Sequence, residues 1–170
     1  MPMSGMKTTT AKPAETMKTS VYVQFAFKAK GLPSKHQISE WARAALSGRR
    51  KHAELTVRIV DENEGAILNR QWRKARGATN VLSFPSNEME KYVPGLLGDI
   101  VLCAPVIMRE ADQQRKTPES HWAHMVIHGT LHLLGHDHAR PEDAEKMEKL
   151  ETSLLKRLGY PDPYRAIGNK

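Results

Sequence analysis

The chain has 170 residues, enough for one domain with a core of its own, and no apolar run approaches the ~20 residues needed to span a bilayer. Hydrophobic residues make up 39% and charged residues 26%, the profile of an ordinary soluble globular protein, and the single cysteine, Cys103, rules out an internal disulfide framework. Lys and Arg outnumber Asp and Glu by 26 to 19, a formal net charge of +7 that suits a polyanionic partner such as nucleic acid without requiring one.

Residues 1–18 are rich in Thr, Lys, Met and Pro, lack apolar periodicity and lack a secretory h-region, so they read as a disordered tail. Val21, Val23, Phe25 and Phe27 alternate with polar or small residues, the period of a half-buried strand. Ser34 with Gln37 three residues on forms a capping-box pattern. Ile38, Trp41, Ala42, Ala45 and Leu46 follow at helical spacing up to Gly48. Leu55–Val60 alternates again as a strand, and Asp61 and Glu62 open a helix ending near Arg73. Val81–Phe84 predicts a short strand stopped by Pro85, residues 86–97 an exposed loop, and Gly98–Cys103 another strand. Cys103, in the run Ile100-Val101-Leu102-Cys103-Ala104, is expected in the core. Helices are predicted over Pro105–Arg115, from Pro118 to about Leu134, and over Pro141–Leu158, the last closed by Gly159. The order β-α-β-α-β-β-α-α-α predicts an α+β fold. It is a single domain over residues 19–165, a mixed sheet with helices packed against it, and residues 166–170 form a C-terminal tail.

The segment His128-Gly-Thr-Leu-His132-Leu-Leu-Gly-His136-Asp-His138 carries the chemistry. Residues four apart on a helix lie one turn apart on one face, so His128 and His132 can present two imidazoles to one ion. Gly135 permits a sharp left-handed exit, after which the chain can return a third nitrogen from His138, with His136 the competitor for that role. Three neutral imidazoles with a fourth position left to water is a catalytic zinc arrangement, although three imidazoles also accept nickel and other first-row metals. Gly129 follows the first histidine where zinc-protease motifs carry a catalytic Glu, which argues against a peptidase. His121 and His124 project within about 80° of the same helix face, as substrate or outer contacts or simply as exposed residues. Asp137 is either a carboxylate that orients a histidine or a turn residue, and Arg73 by itself reads as a solvated helix end. With aromatics only 6% of the chain, no stacked-aromatic platform for bases is visible.

The run from His121 to His138 resembles the signature of the YbeY endoribonucleases, bacterial metal-dependent enzymes of ribosomal RNA maturation. The resemblance extends through Leu68-Asn69, Trp72-Arg73, Thr79-Asn-Val-Leu-Ser-Phe-Pro85, Leu97-Gly-Asp-Ile100 and Gly159-Tyr160, so it covers roughly residues 20–165. It departs at Gly77-Ala78, where a proline often precedes the Thr-Asn pair, and at His136, where tyrosine is common. The resemblance implies one zinc ion held by His128, His132 and His138, and a functional Arg73 aiding cleavage of single-stranded RNA. Asp137, His124, His121 and Ser83 are then candidate neighbours of the metal or substrate. It implies a cytoplasmic enzyme of small-subunit 3′ maturation and ribosome quality control, with the ribosomal small subunit or its assembly factors as partners. Two other readings stay open: a non-catalytic assembly factor whose zinc stabilises the fold, and a zinc hydrolase of another substrate.

Overall fold

The structure, a computed structural model, describes residues 18–165. The tails expected at residues 1–18 and 166–170 lie outside the described residues, except Lys18, which opens the first strand rather than ending a tail. In chain order the elements are β1 (Lys18–Phe25), α1 (Lys35–Leu46), β2 (His52–Val60), α2 (Glu62–Arg73), β3 (Val81–Pro85), β4 (Leu96–Cys103), α3 (Ala104–Gln113), α4 (Pro118–Leu133) and α5 (Pro141–Arg157). The sheet order is β1-β2-β4-β3, with β1, β2 and β4 parallel and β3 antiparallel to β4 at one edge. The fold is α+β with a mixed sheet.

Side-chain alternation divides the sheet into two unlike faces. Leu55, Val57 and Ile59 of β2 and Ile100 and Leu102 of β4 point into the main core, where α1 and α4 meet them. The opposite face carries a smaller core of Val60, Leu82, Val101 and Cys103, covered by α2 through Leu68. Local signals set the helix starts. Ser34 and Gln37 form the capping box, Asp61 caps α2, and Thr117 caps α4 with Pro118 in its first turn.

Several boundaries differ from the sequence pattern: β2 begins at His52 instead of Leu55, and the third helix spans Ala104–Gln113 instead of Pro105–Arg115. β1 stops at Phe25, although Ala26 N–H still donates to the Ile59 carbonyl at 2.9 Å; Phe27 packs on the core from the loop beyond. The 86–97 stretch is not wholly loop. It holds a 3₁₀ turn at Met89–Lys91, and β4 begins at Leu96 instead of Gly98. The cause is a bulge: Glu54 pairs with Leu96 and Leu55 with Gly98, so Leu97 is an extra residue whose side chain enters the core. Gly98 sits at φ +133, where an added Cβ would stand 2.1 Å from the Phe84 carbonyl oxygen, so no other residue fits.

Helix α4 is the centre of the molecule. Trp122, Ile127 and Leu131 are fully buried, and its neighbours include α1, α3, α5, β3 and β4. Gly129 is where it lies closest to the sheet: a Cβ there would meet Ile100 Cγ2 at 2.9 Å and Val81 Cγ2 at 3.1 Å. A glutamate at this position has no space, so the peptidase motif is sterically as well as chemically absent. Ala in a helix interior ordinarily stabilises by about 1 kcal/mol over Gly. Overpacking two branched core side chains costs about 1–3 kcal/mol, so Gly129→Ala should be net destabilising. Urea denaturation will show a lowered midpoint at unchanged slope.

Candidate metal centre

The last turns of α4 carry His128 and His132, which line a cleft together with residues of edge strand β3. After Leu133 the chain turns through Gly135 at φ +98, with Gly135 N–H donating to the His132 carbonyl and His136 N–H to the Leu131 carbonyl. That reversal brings His138, rather than His136, to the pair. One side-chain nitrogen from each of His128, His132 and His138 lies within 4.8 Å of the others. The ring centroids are 4.6 Å apart for His128–His132, 5.0 Å for His132–His138 and 5.7 Å for His128–His138.

The donor set fits a transition-metal ion. The Nε2 atoms of His128 and His132 are 3.1 Å apart, close to the roughly 3.3 Å edge of a tetrahedron with ~2.0 Å metal–nitrogen bonds. A ligand imidazole must be neutral. Burial, then the neighbouring His128 and His138, hold the His132 imidazole down at about 4.

Behind the histidines stands Glu151 of α5, a carboxylate with no solvent exposure. Its Oε1 accepts from His128 Nδ1 at 2.7 Å, and its Oε2 accepts from His124 Nε2 and the Tyr164 hydroxyl. Burial would raise this carboxyl, but the hydrogen bonds from His124 and His128 outweigh it and hold the group at about 2. Ionised Glu151 therefore fixes a proton on His128 Nδ1 and leaves Nε2 with a lone pair aimed at the cluster. The atoms of His124, His128 and Glu151 also lie within 4.8 Å of one another, which these hydrogen bonds account for.

His121 and His124 are buried rather than exposed, and neither lines the cleft beside the cluster. His121 Nε2 meets Glu110 Oε1 at 3.0 Å, and Glu110 in turn accepts from Asn80; burial lowers the His121 pKa. This chain of contacts ties α3 and α4 to the start of β3.

The cleft itself has a volume of about 350 Å³. Arg73, Asn80, Ser83 and Asp137 line it together with the three histidines. Arg73 ends α2 and donates to the Ser83 carbonyl at 3.3 Å. The Ser83 hydroxyl donates to the Gly129 carbonyl at 3.0 Å, so it couples β3 to α4. Asp137 Oδ1 accepts from the His138 N–H at 2.7 Å and so shapes the turn that carries the third histidine. Asn69 donates to the Gly77 carbonyl at 2.8 Å and pins the loop between α2 and β3.

A family model described as Endoribonuclease YbeY matches residues 24–159. The chain belongs to the YbeY endoribonuclease family. Relatives named Endoribonuclease YbeY include that of Pseudomonas savastanoi pv. phaseolicola, 53% identical over 133 residues, covering 78% of this chain and 80% of the relative. That of Nitrosococcus oceani is 46% identical over 154 residues, covering 89% of this chain and all of the relative. The solution structure of TM1509 from Thermotoga maritima superposes with a TM-score of 0.54 at 26% identity, covering 84% of this chain and 99% of that one.

Sequence reasoning missed Glu151 and Tyr164. The signal for Glu151 was present: it falls at the apolar positions of α5, in register with the buried Met147, Leu154 and Leu155. A carboxylate there has to find partners. Two measurements follow. Glu151→Gln should lower metal affinity about 10- to 100-fold, with Glu145→Gln on the exposed side of α5 unchanged, read by competition with a chromogenic chelator. In metal-free protein the His132 pKa of about 4 lies below its ordinary 6.5, so the unfolded chain binds the extra proton between those values. That contribution to stability is complete above pH 6.5 and is lost as pH falls toward 4. Urea midpoints at pH 7, 5.5 and 4.5 will descend in that order.

Proposed function

We propose that this chain is a zinc-dependent endoribonuclease for single-stranded RNA. It acts in ribosomal RNA processing, including maturation of the small-subunit 3′ end, and in ribosome quality control in the cytoplasm. The single observation that carries this reading is the three-histidine cluster opening onto the same cleft as Arg73, in a member of this family. The net charge of +7 supports a polyanionic substrate, and ribosomal small subunits or their assembly factors are the partners consistent with that substrate.

His128, His132 and His138 would hold the ion, which supplies an electrophile for phosphoryl oxygen and a lowered water pKa when bound. The protein's own groups do the rest. Glu151 keeps His128 in one tautomer and orientation, so the cluster is organised before substrate arrives. Arg73 commits one Nη2 donor to the Ser83 carbonyl. Its remaining guanidinium donors have no partner among the described residues and can bind two oxygens of a phosphodiester and stabilise the charge that accumulates there in the transition state. The tether through Ser83 fixes that guanidinium on the wall of the cleft, which limits the side-chain entropy lost when a phosphate is bound.

Zinc-loaded protein should cleave labelled single-stranded RNA, and a chelator should abolish the cleavage until zinc is returned. His132→Ala is expected to lose activity wholly. Arg73→Ala should lose about 10²- to 10³-fold in rate, as expected for removing a charge-stabilising donor, and Arg73→Lys should recover only part because it cannot form the paired contact. A 2′,3′-cyclic phosphate at the product ends would assign the attack to the 2′-hydroxyl, and a 5′-phosphate with a free 3′-hydroxyl would assign it to water. Equal cleavage by all variants would expose a contaminating nuclease and sink the assignment.

A further inference from the structure

The sheet face opposite α4 is only partly covered. Helix α2 seals the Val60, Leu82 and Cys103 end, but strand pairing leaves a row across the sheet running Tyr22, Thr56, Asp99, Phe84. Trp72, on the last turn of α2, stands at the Phe84 end of this row. It is 65% exposed, and its ring meets Phe84 edge-on with centroids 5.9 Å apart. Trp41 and Trp122, by contrast, are buried. Trp72 and Phe84 line a groove of about 780 Å³ that also contains Arg58, Glu64 and Asp99.

Two observations identify what fits there. The first is continuity: Arg73 and Ser83 line both this groove and the metal cleft, so the two adjoin across edge strand β3 and share Arg73 on their common border. The second is charge. Arg70, Arg73, Lys74 and Arg76 surround Trp72 in the sequence, all are exposed, and none has an ion-pair partner among the described residues. Within the groove the acids are Glu64, which Arg58 neutralises with hydrogen bonds of 3.0 and 2.9 Å, and the exposed Asp99. The positive side is therefore the end of α2, and the sheet side offers aromatic faces and hydrogen-bonding groups.

We infer that the Trp72–Phe84 pair is a base-stacking subsite for the single-stranded RNA segment next to the scissile phosphate, with the phosphates running along the cations at the end of α2. This deepens the nuclease reading and rests on it. Exposed aromatics beside cations are the combination that holds unpaired nucleotides, because every base has a π face and every linkage a charge. Double-stranded RNA offers no such face, so the subsite also accounts for a preference for unpaired substrate.

Metal-free protein titrated with a short oligoadenylate, and in parallel with an abasic ribose-phosphate oligomer of equal length, tests this by tryptophan fluorescence. Only Trp72 is exposed, so quenching by a stacked base reads that one ring. Wild type should be quenched by oligoadenylate and not by the abasic chain. Trp72→Ala should lose the quenching and, by fluorescence anisotropy of an end-labelled oligoadenylate, bind about 5- to 150-fold more weakly than wild type. Trp72→Phe should keep part of the affinity, and Tyr92→Ala, an exposed aromatic outside this groove, all of it. His132→Ala should be quenched like wild type while failing to cleave, which separates the subsite from the chemistry. Equal oligoadenylate affinity for Trp72→Ala and wild type, with cleavage still dependent on His132, would overturn the subsite and leave the nuclease intact. Equal quenching by the abasic chain would overturn it too, as would sedimentation showing that this face joins two copies of the chain through Trp72.

Discussion

A carboxylate without solvent contact, Glu151, lies between α4 and α5 and gathers hydrogen bonds from His124, His128 and Tyr164. Burying an ion is costly unless its lone pairs are satisfied. This constraint links three parts of the chain that are distant in sequence: the centre of α4, the middle of α5 and the segment after it. Remove one partner and a charge is left stranded in the core. The same network orders the histidine cluster, so the stability of the α4–α5 contact and the orientation of His128 are one property. His121, Glu110 and Asn80 make a second linkage nearer the start of α4. Together the two networks hold the helix against β3 and against α5 while its histidine-bearing end faces the cleft.

Much of this could be read from local sequence. The capping box at Ser34, the caps at Asp61 and Thr117 and the i,i+4 spacing of His128 and His132 all act over a few residues. Gly135 announced the turn that brings His138 round. What escaped the sequence depends on pairing between distant segments. The Leu97 bulge exists only because β2 and β4 must keep their core faces aligned while Gly98 passes under the Phe84 carbonyl. Glu151 reads as one more charged residue of α5 until α4 is laid against it. His121 and His124 share a helix face with the candidate ligands His128 and His132, yet tertiary contacts with α3 and α5 bury both. The exposed sheet row with Trp72 beside it was invisible because low aromatic content says nothing about where the few aromatics converge.

Arg73 concentrates several demands on one side chain. It terminates α2, is tied to the Ser83 carbonyl of β3 and faces both the metal cleft and the groove on the other side of that strand. Lys74 immediately after it adopts a left-handed conformation, which turns the chain out of the helix and toward the loop pinned by Asn69. The position of the guanidinium therefore follows from how α2 docks on the sheet, not from the arginine's own rotamers alone.

That docking has a built-in witness. Cys103 is the only thiol in the chain, lies under α2 with its sulfur 3.1 Å from where a Cβ on Gly65 would sit, and has its pKa pushed up by burial. A native thiol buried beneath a helix and its flanking loop reacts with an alkylating probe only when that cover opens. Labelling of the unmodified protein thus meters the excursions of the arginine-bearing helix. Comparing its free energy with that of whole-molecule unfolding distinguishes a hinged flap from a fixed wall.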